Sequence, residues 1–362
     1  MIRVTLRQLR SEAIVALVVL VAMAIVLAVT GVHLADVNEA FLSTCQAARD
    51  CGSAPNPALN LSRPLQVALP FLVTVAPALI GLFVGAPLIA RELESGTYRL
   101  AWTQSVTRRR WLAVKLGLVG LAAMTCGGVL TSMADWWASP LDAANQNRFD
   151  LANFGIHGVA PIGYAAFAFA LGATAGVLLR RTVPAMAVTL VGFAGARLAV
   201  TFWVRGHLAS PLRRSLPLMV SGGVGFGVQQ PQDTVSLTAP TVNVPNGWVY
   251  STAVVNKAGA APTSTYLLHA CPFLEAIVKS GPGGAPAAVR FGGSGHAVTA
   301  RGPAAGGFQS CLNKLSATVH TVVTYQPGSR FWPFQLAEMG IFLAAALALC
   351  GLTYWWLRRQ YA

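Results

Sequence analysis

Two carboxylates spaced i, i+2, Glu92 and Glu94, follow Arg91 and precede a Gly96-Thr97 break, and the same stretch ends in Thr107-Arg108-Arg109-Arg110. Between these charged ends the sequence predicts a short amphipathic helix around Tyr98–Gln104, with Thr107 as the N-cap of the helix that follows. A short helix bracketed by charge offers Leu100, Ala101 and Trp102 to a partner docking against it. Other chemistries lack their residues. A P-loop needs a Gly-Lys pair so that backbone amides and the lysine hold phosphates, but the four lysines follow Val114, Asn256, Val278 and Asn313. The Gly-x-Gly-x-x-Gly-like pattern at 222–227 follows no βαβ unit. The six histidines form no i, i+4 pair, no Cys-x-x-Cys accompanies them, and no Gly-x-Ser-x-Gly elbow is present. The chain is therefore expected to have no catalytic residues, no metal site and no cofactor site of its own, and not to be an enzyme.

The elements that must position Glu92 and Glu94 are set by composition. Of 362 residues, 54% are hydrophobic and 10% charged, with mean hydropathy +0.57. Soluble domains carry about 25% charged residues, so a soluble globular enzyme is excluded. Six stretches are long enough to cross a bilayer core of ~30 Å as helices. They are 13–35, 64–90, 116–134, 151–179, 182–204 and 339–357. The fold class expected is an all-α polytopic membrane protein. Arg197 is the one ionisable residue read inside a span, with Asp135 at the edge of the third. No buried acid is expected deep in any helix, which argues against a proton-driven carrier.

Basic residues orient the spans. Segments 1–12, 91–115, 180–181 and 358–362 hold 13 Lys and Arg in 44 residues, whereas 35–63, 135–150 and 205–338 hold 12 in 179. Both termini and the 91–115 loop are thereby placed in the cytoplasm and 205–338 outside. The apolar run after Arg3, Arg7 and Arg10 exceeds a signal-peptide core and reads as a retained anchor. The net charge of +14 follows this membrane asymmetry, so no nucleic-acid partner is implied. Aromatics at 325–334, and Tyr354, Trp355 and Trp356 beside Arg358 and Arg359, suit the two interfacial belts.

Three regions follow: 1–204 with the loop 91–115, the extracytoplasmic segment 205–338, and 339–362. The middle region is rich in Gly, Pro, Ser and Thr and reads as a small α+β cap between spans 5 and 6. It has a helical pattern at 266–279 and a β-branched strand at 317–325. Four cysteines fall on the outer side, where an oxidising compartment permits disulfides. Local pairing, Cys45 with Cys51 and Cys271 with Cys311, staples one loop each and is preferred to cross-pairing. Cys126 and Cys350 lie within spans.

At Glu92-x-Glu94-x-Gly96-Thr97 and Thr107–Arg110 the chain resembles permease subunits of the ABC-2 type of ATP-binding-cassette exporter, particularly actinobacterial ones. Six spans, inward termini and a long outer loop between spans 5 and 6 match as well. The resemblance implies a permease in the bacterial plasma membrane that pairs with a second permease copy, identical or related. A separate nucleotide-binding ATPase subunit would supply ATP and Mg at each inner loop. It implies coupling through Glu92, Glu94, Gly96, Thr97, Trp102 and Arg108, a pathway lined by spans 2 and 5 with Arg197, and movement of a hydrophobic or amphipathic compound outward. Two rivals from other classes are a membrane-anchored sensor or scaffold and a secondary transporter.

Overall fold

The computed structural model describes residues 10–48, 57–95, 108–145, 148–149, 153–218, 225–229, 234–239, 242, 244–272, 274–275 and 304–360. The chain divides into two compact units, residues 1–49, 55–209 and 329–362 in one and residues 50–54 and 210–328 in the other.

The first unit is helical. It comprises α1 (Arg10–Ala48), α2 (Arg63–Glu94), α3 (Arg108–Asn145), α4 (Ala160–Leu179), α5 (Thr182–His207) and α8 (Phe331–Gln360). A short helical turn at Pro57–Leu61 leads into α2. All six helices are long and apolar enough to cross a membrane. Their ends differ from the expected spans in two informative places. The fourth helix starts at Ala160 rather than 151, because Gly158 takes a left-handed φ of 79° and Pro161 stands in the first turn. The sixth starts at Phe331, eight residues before the expected Met339.

The centre of this unit is α4, whose membrane window is 78% buried. Half of its residues are Ala or Gly, so neighbouring backbones can approach it closely. Gly81 and Gly85 of α2 lie against the carbonyls of Ala168 and Phe169, and Gly172 and Gly176 of α4 lie against Gly81 and Ala86. The α2 glycines stand in a π-helical turn, Ile80–Gly85. α3 and α5 pack on other sides of α4, and α8 lies along it with Phe342 edge-on to Tyr164 and Phe167. Large apolar side chains point outward, among them Val19, Phe71, Phe83, Val191, Trp203 and Leu347. That inside-out arrangement is what a hydrocarbon solvent permits.

The second unit is α+β. Strands β1 (Leu212–Pro217), β4 (Trp248–Asn256) and β5 (Val319–Gln326) form an antiparallel sheet in the order β1-β5-β4. Strands β2 (Gly225–Gln229) and β3 (Thr234–Thr238) form a separate antiparallel pair. The β5 strand falls where the β-branched run predicts it. The helix expected over 266–279 is α6 (Ser264–Ala270), with Thr263 accepting from the Tyr266 amide as its cap, and it ends at Cys271. Helix α7 (Ala304–Thr318) leads into β5. Leu267, Leu274, Leu312, Leu315 and Val319 make an apolar core around a Cys271–Cys311 disulfide, whose Cα atoms are 4.9 Å apart. The expected Cys45–Cys51 pair lies outside the described residues, which exclude Cys51 and the side chain of Cys45. Cys126 and Cys350 are free thiols.

Two expectations follow from packing. A Cβ on Gly172 would stand 2.3 Å from the Gly81 carbonyl oxygen and 2.7 Å from the Ala86 nitrogen. Gly172→Ala should therefore force α2 and α4 apart and cost about 1–3 kcal/mol, whereas Gly195→Ala, with open space around it, should leave the melting temperature in lipid unchanged. Cys311→Ser removes a cross-link between residues 40 apart in sequence and should cost the second unit about 2–4 kcal/mol. Hydrogen exchange of the β5 amides reads that loss, and non-reducing peptide mapping of the wild type should join Cys271 to Cys311.

Candidate functional site

Polar side chains gather at two opposite ends of the helical unit. At one end Glu338 of α8 is fully buried and meets three partners. Arg205 of α5 donates from Nε to Oε2 at 3.0 Å and from Nη2 to Oε1 at 3.1 Å. Arg197, also on α5, donates from Nη1 to Oε1 at 2.8 Å and to Thr201 Oγ1 at 3.1 Å. The Tyr164 hydroxyl of α4 donates to Oε1 at 2.5 Å. Each guanidinium also lies over an aromatic ring, Arg197 over Tyr164 and Arg205 over Phe154, both at 4.0 Å.

Local helix geometry makes this convergence possible. Residues eight apart on a regular α-helix are rotated about 80° from one another, at 100° per residue. Between Arg197 and Arg205, however, Val200–Val204 form a π-helical turn. Such a turn inserts one residue, so the two arginines take the relation of residues seven apart, within about 20° of one face. One step away on α8, buried Gln335 accepts from the Ala160 amide at 2.9 Å and donates to the Phe154 carbonyl at 2.7 Å. It thus caps α4, whose own N-cap residue, Val159, offers no side-chain bond. Phe149, Phe154, Phe331 and Phe334 close over this region with ring centroids 5.2–5.9 Å apart. Phe331 and Phe334 are buried, whereas Trp332 is exposed, so of this trio only Trp332 points outward as a belt residue would.

At the other end, the two motif carboxylates tie helices together. Glu92 of α2 pairs with Lys115 of α3, which is buried and lies over the Trp111 ring at 4.7 Å. Glu94 accepts from the Thr182 hydroxyl at 2.7 Å and the Thr182 amide at 3.3 Å, satisfying the first turn of α5. Leu88, Ile89, Trp111, Leu112, Val177 and Trp356 pack beneath these bonds. Glu92 and Glu94 are thereby brought together with Lys115 and Thr182, which the sequence reading did not single out. Gly96, Thr97, Trp102 and the side chain of Arg108 lie outside the described residues.

Arg197, the only ionisable residue read within a span, is not isolated. The expectation that no helix holds a buried acid is corrected by Glu338, which that reading left in the outer segment by starting the sixth span at Met339. The signal was available: Phe331, Gln335 and Glu338 fall at i, i+4, i+7 and define one helical face. Among the described residues no group of three or more His, Cys, Asp and Glu is placed to hold a metal ion.

Six apolar helices around a small-residue core, with polar ties at their ends, define a multi-pass membrane protein. The sequence family described as ABC-2 membrane transporter related matches residues 17–205, more than half the chain, so the protein belongs to that family. No curated protein and no solved structure matches it.

Glu338→Gln should cost about 3–5 kcal/mol, because it leaves the buried Arg205 and the half-buried Arg197 without a counter-charge. Arg197→Met should cost less, since Arg205 still holds both carboxylate oxygens and the excess positive charge is removed. Thermal unfolding of both variants in lipid nanodiscs checks the order, and equal or reversed losses would show that Glu338 is not the hub.

Proposed function

We propose that this chain is the membrane-spanning subunit of an ABC exporter, moving a hydrophobic or amphipathic compound outward with energy from a separate ATPase. The observation that carries the reading is the Glu92/Glu94 arrangement within a chain of the ABC-2 family. A docking partner that moves this end of α2 acts at once on α3 through Lys115 and on α5 through Thr182. The loop from Gly96 to Arg108, with Trp102 at its centre, is the docking element. ATP and Mg belong to the partner, and this chain supplies the mechanical coupling.

In this reading both termini and the loop face the cytoplasm of a bacterial plasma membrane, and the second unit, 210–328, faces outward. The Cys271–Cys311 disulfide supports that side, because such bonds persist in oxidising compartments. Two permease copies, identical or related, enclose the pathway. Gly81 and Gly85 of α2 are packed on α4, so α2 would face a pathway with Phe71 and Phe83, both exposed. Arg197, 14% exposed at its side chain, is the polar group beside that path.

Glu92→Ala, Glu94→Ala and Trp102→Ala should each lower substrate-stimulated ATPase of the co-purified complex in lipid, with membrane insertion intact. Combining Glu92→Lys with Lys115→Glu should recover part of what Glu92→Ala loses. Full activity in all three single variants would sink the coupling role.

A further inference from the structure

A furrow of about 590 Å³ runs between α1, α2 and α3, and its character changes along its length. Most of its wall is aliphatic or aromatic, including Val19 and Leu20 of α1, Leu72 and Phe83 of α2, and Leu130 of α3. One residue that lines it is charged, Arg91, near the end of α2. From Leu72 to Arg91 the helix rises about 28 Å at 1.5 Å per residue, close to the ~30 Å depth of a bilayer core. The cation therefore stands at headgroup level and the wall at acyl-chain level.

Arg91 is unlike its neighbours. Glu92 faces Lys115 and Glu94 faces Thr182, whereas the Arg91 guanidinium has no ion-pair or hydrogen-bond partner among the described residues. Its side chain is exposed. The π-helical turn at Ile80–Gly85 shapes the same wall, placing its glycines on α4 while Ile80, Phe83 and Val84 line the furrow. Such turns concentrate at functional positions in helices.

We propose that this furrow is a binding site for an anionic phospholipid, its acyl chain along α1–α3 and its phosphate on Arg91. Charge complementarity selects this occupant over a second copy of the chain. The two described carboxylates at that end, Glu92 and Glu94, already face Lys115 and Thr182, so a second copy brings neither of them to Arg91. A phospholipid carries both the hydrocarbon and the anion. The furrow opens sideways past exposed Val15, Val19 and Phe83, the direction from which a bilayer lipid arrives. This inference stands independently of transport.

The full-length protein is equilibrated in vesicles of equal parts phosphatidylglycerol and phosphatidylcholine, extracted, and its retained lipid counted by native mass spectrometry. Wild type should keep phosphatidylglycerol in preference to phosphatidylcholine. Arg91→Gln should lower that preference about fivefold, the factor one basic residue contributes at a membrane surface, and Arg91→Lys should keep it. Ala16→Trp, at an exposed position that lines the furrow, should reduce retention of both lipids. Equal retention of the two lipids by wild type, an unchanged preference in Arg91→Gln, or unchanged retention in Ala16→Trp would each overturn the proposal. A shift in the monomer–dimer ratio of Ala16→Trp with lipid retention unchanged would assign the furrow to a second copy, and overturn it too.

Discussion

The buried carboxylate of Glu338 balances two guanidiniums in a helical bundle that is mostly apolar. One negative charge against two positive ones leaves an excess cation, and a buried charge without compensation costs several kcal/mol. The structure offsets it in three ways. Arg205 takes both carboxylate oxygens, so its interaction is bidentate. Tyr164 and Phe154 present ring faces to Arg197 and Arg205, a contact worth about 2 kcal/mol when water is excluded. Arg197 also keeps partial access, at 14% exposure, so its charge is not fully desolvated. Because the participants come from α4, α5 and α8, this one group of charges fixes the relative placement of three helices that otherwise pack through small residues. Gln335 extends the same constraint to the start of α4.

Helix α5 relates the two polar ends. Glu94 caps it at Thr182, and Arg205 anchors it to Glu338. Those positions are 23 residues apart, or about 35 Å along the axis, slightly more than a bilayer core. Between them α5 buries few large side chains against α4, Phe193 among them, and exposes many, including Val183, Val191, Leu198 and Trp203. A helix pinned at both ends by hydrogen bonds, and held in the middle mainly by van der Waals contact, behaves as a strut.

Much of this was legible in the sequence, and the parts that were not were hidden for separate physical reasons. Six spans and the β5 strand could be read because length and β-branching are local signals, and the Cys271–Cys311 pair because both cysteines fall in one outer segment. Glu92 and Glu94 could be read as a motif, but Lys115 and Thr182 could not be assigned to them. Those pairings connect elements 23 and 88 residues apart, and a lone lysine or threonine has no periodicity to reveal its partner. Glu338 was missed for a different reason. A hydropathy reading ends a span at the first acid, and so cuts off a charge whose compensation lies on another helix. The two π-helical turns were also invisible, since their sequences, Ile-Gly-Leu-Phe-Val-Gly and Val-Thr-Phe-Trp-Val, are apolar like the helices around them.

Those two turns sit at positions that serve opposite needs. In α2 the turn lets glycines at 81 and 85 reach the α4 backbone, where any side chain would collide. In α5 it aligns Arg197 and Arg205 on one face, so that both reach Glu338. A regular helix would meet each need poorly, with Arg197 and Arg205 about 80° apart on α5. The extra residue loosens the local hydrogen-bond ladder, a cost accepted only where tertiary contacts return more. The close backbone approach of α2 to α4 and the double salt bridge of α5 to α8 are such contacts. In each of these two helices the π-helical turn therefore marks the face that is committed to its own bundle, while Phe83 and Trp203 of the same turns stay exposed.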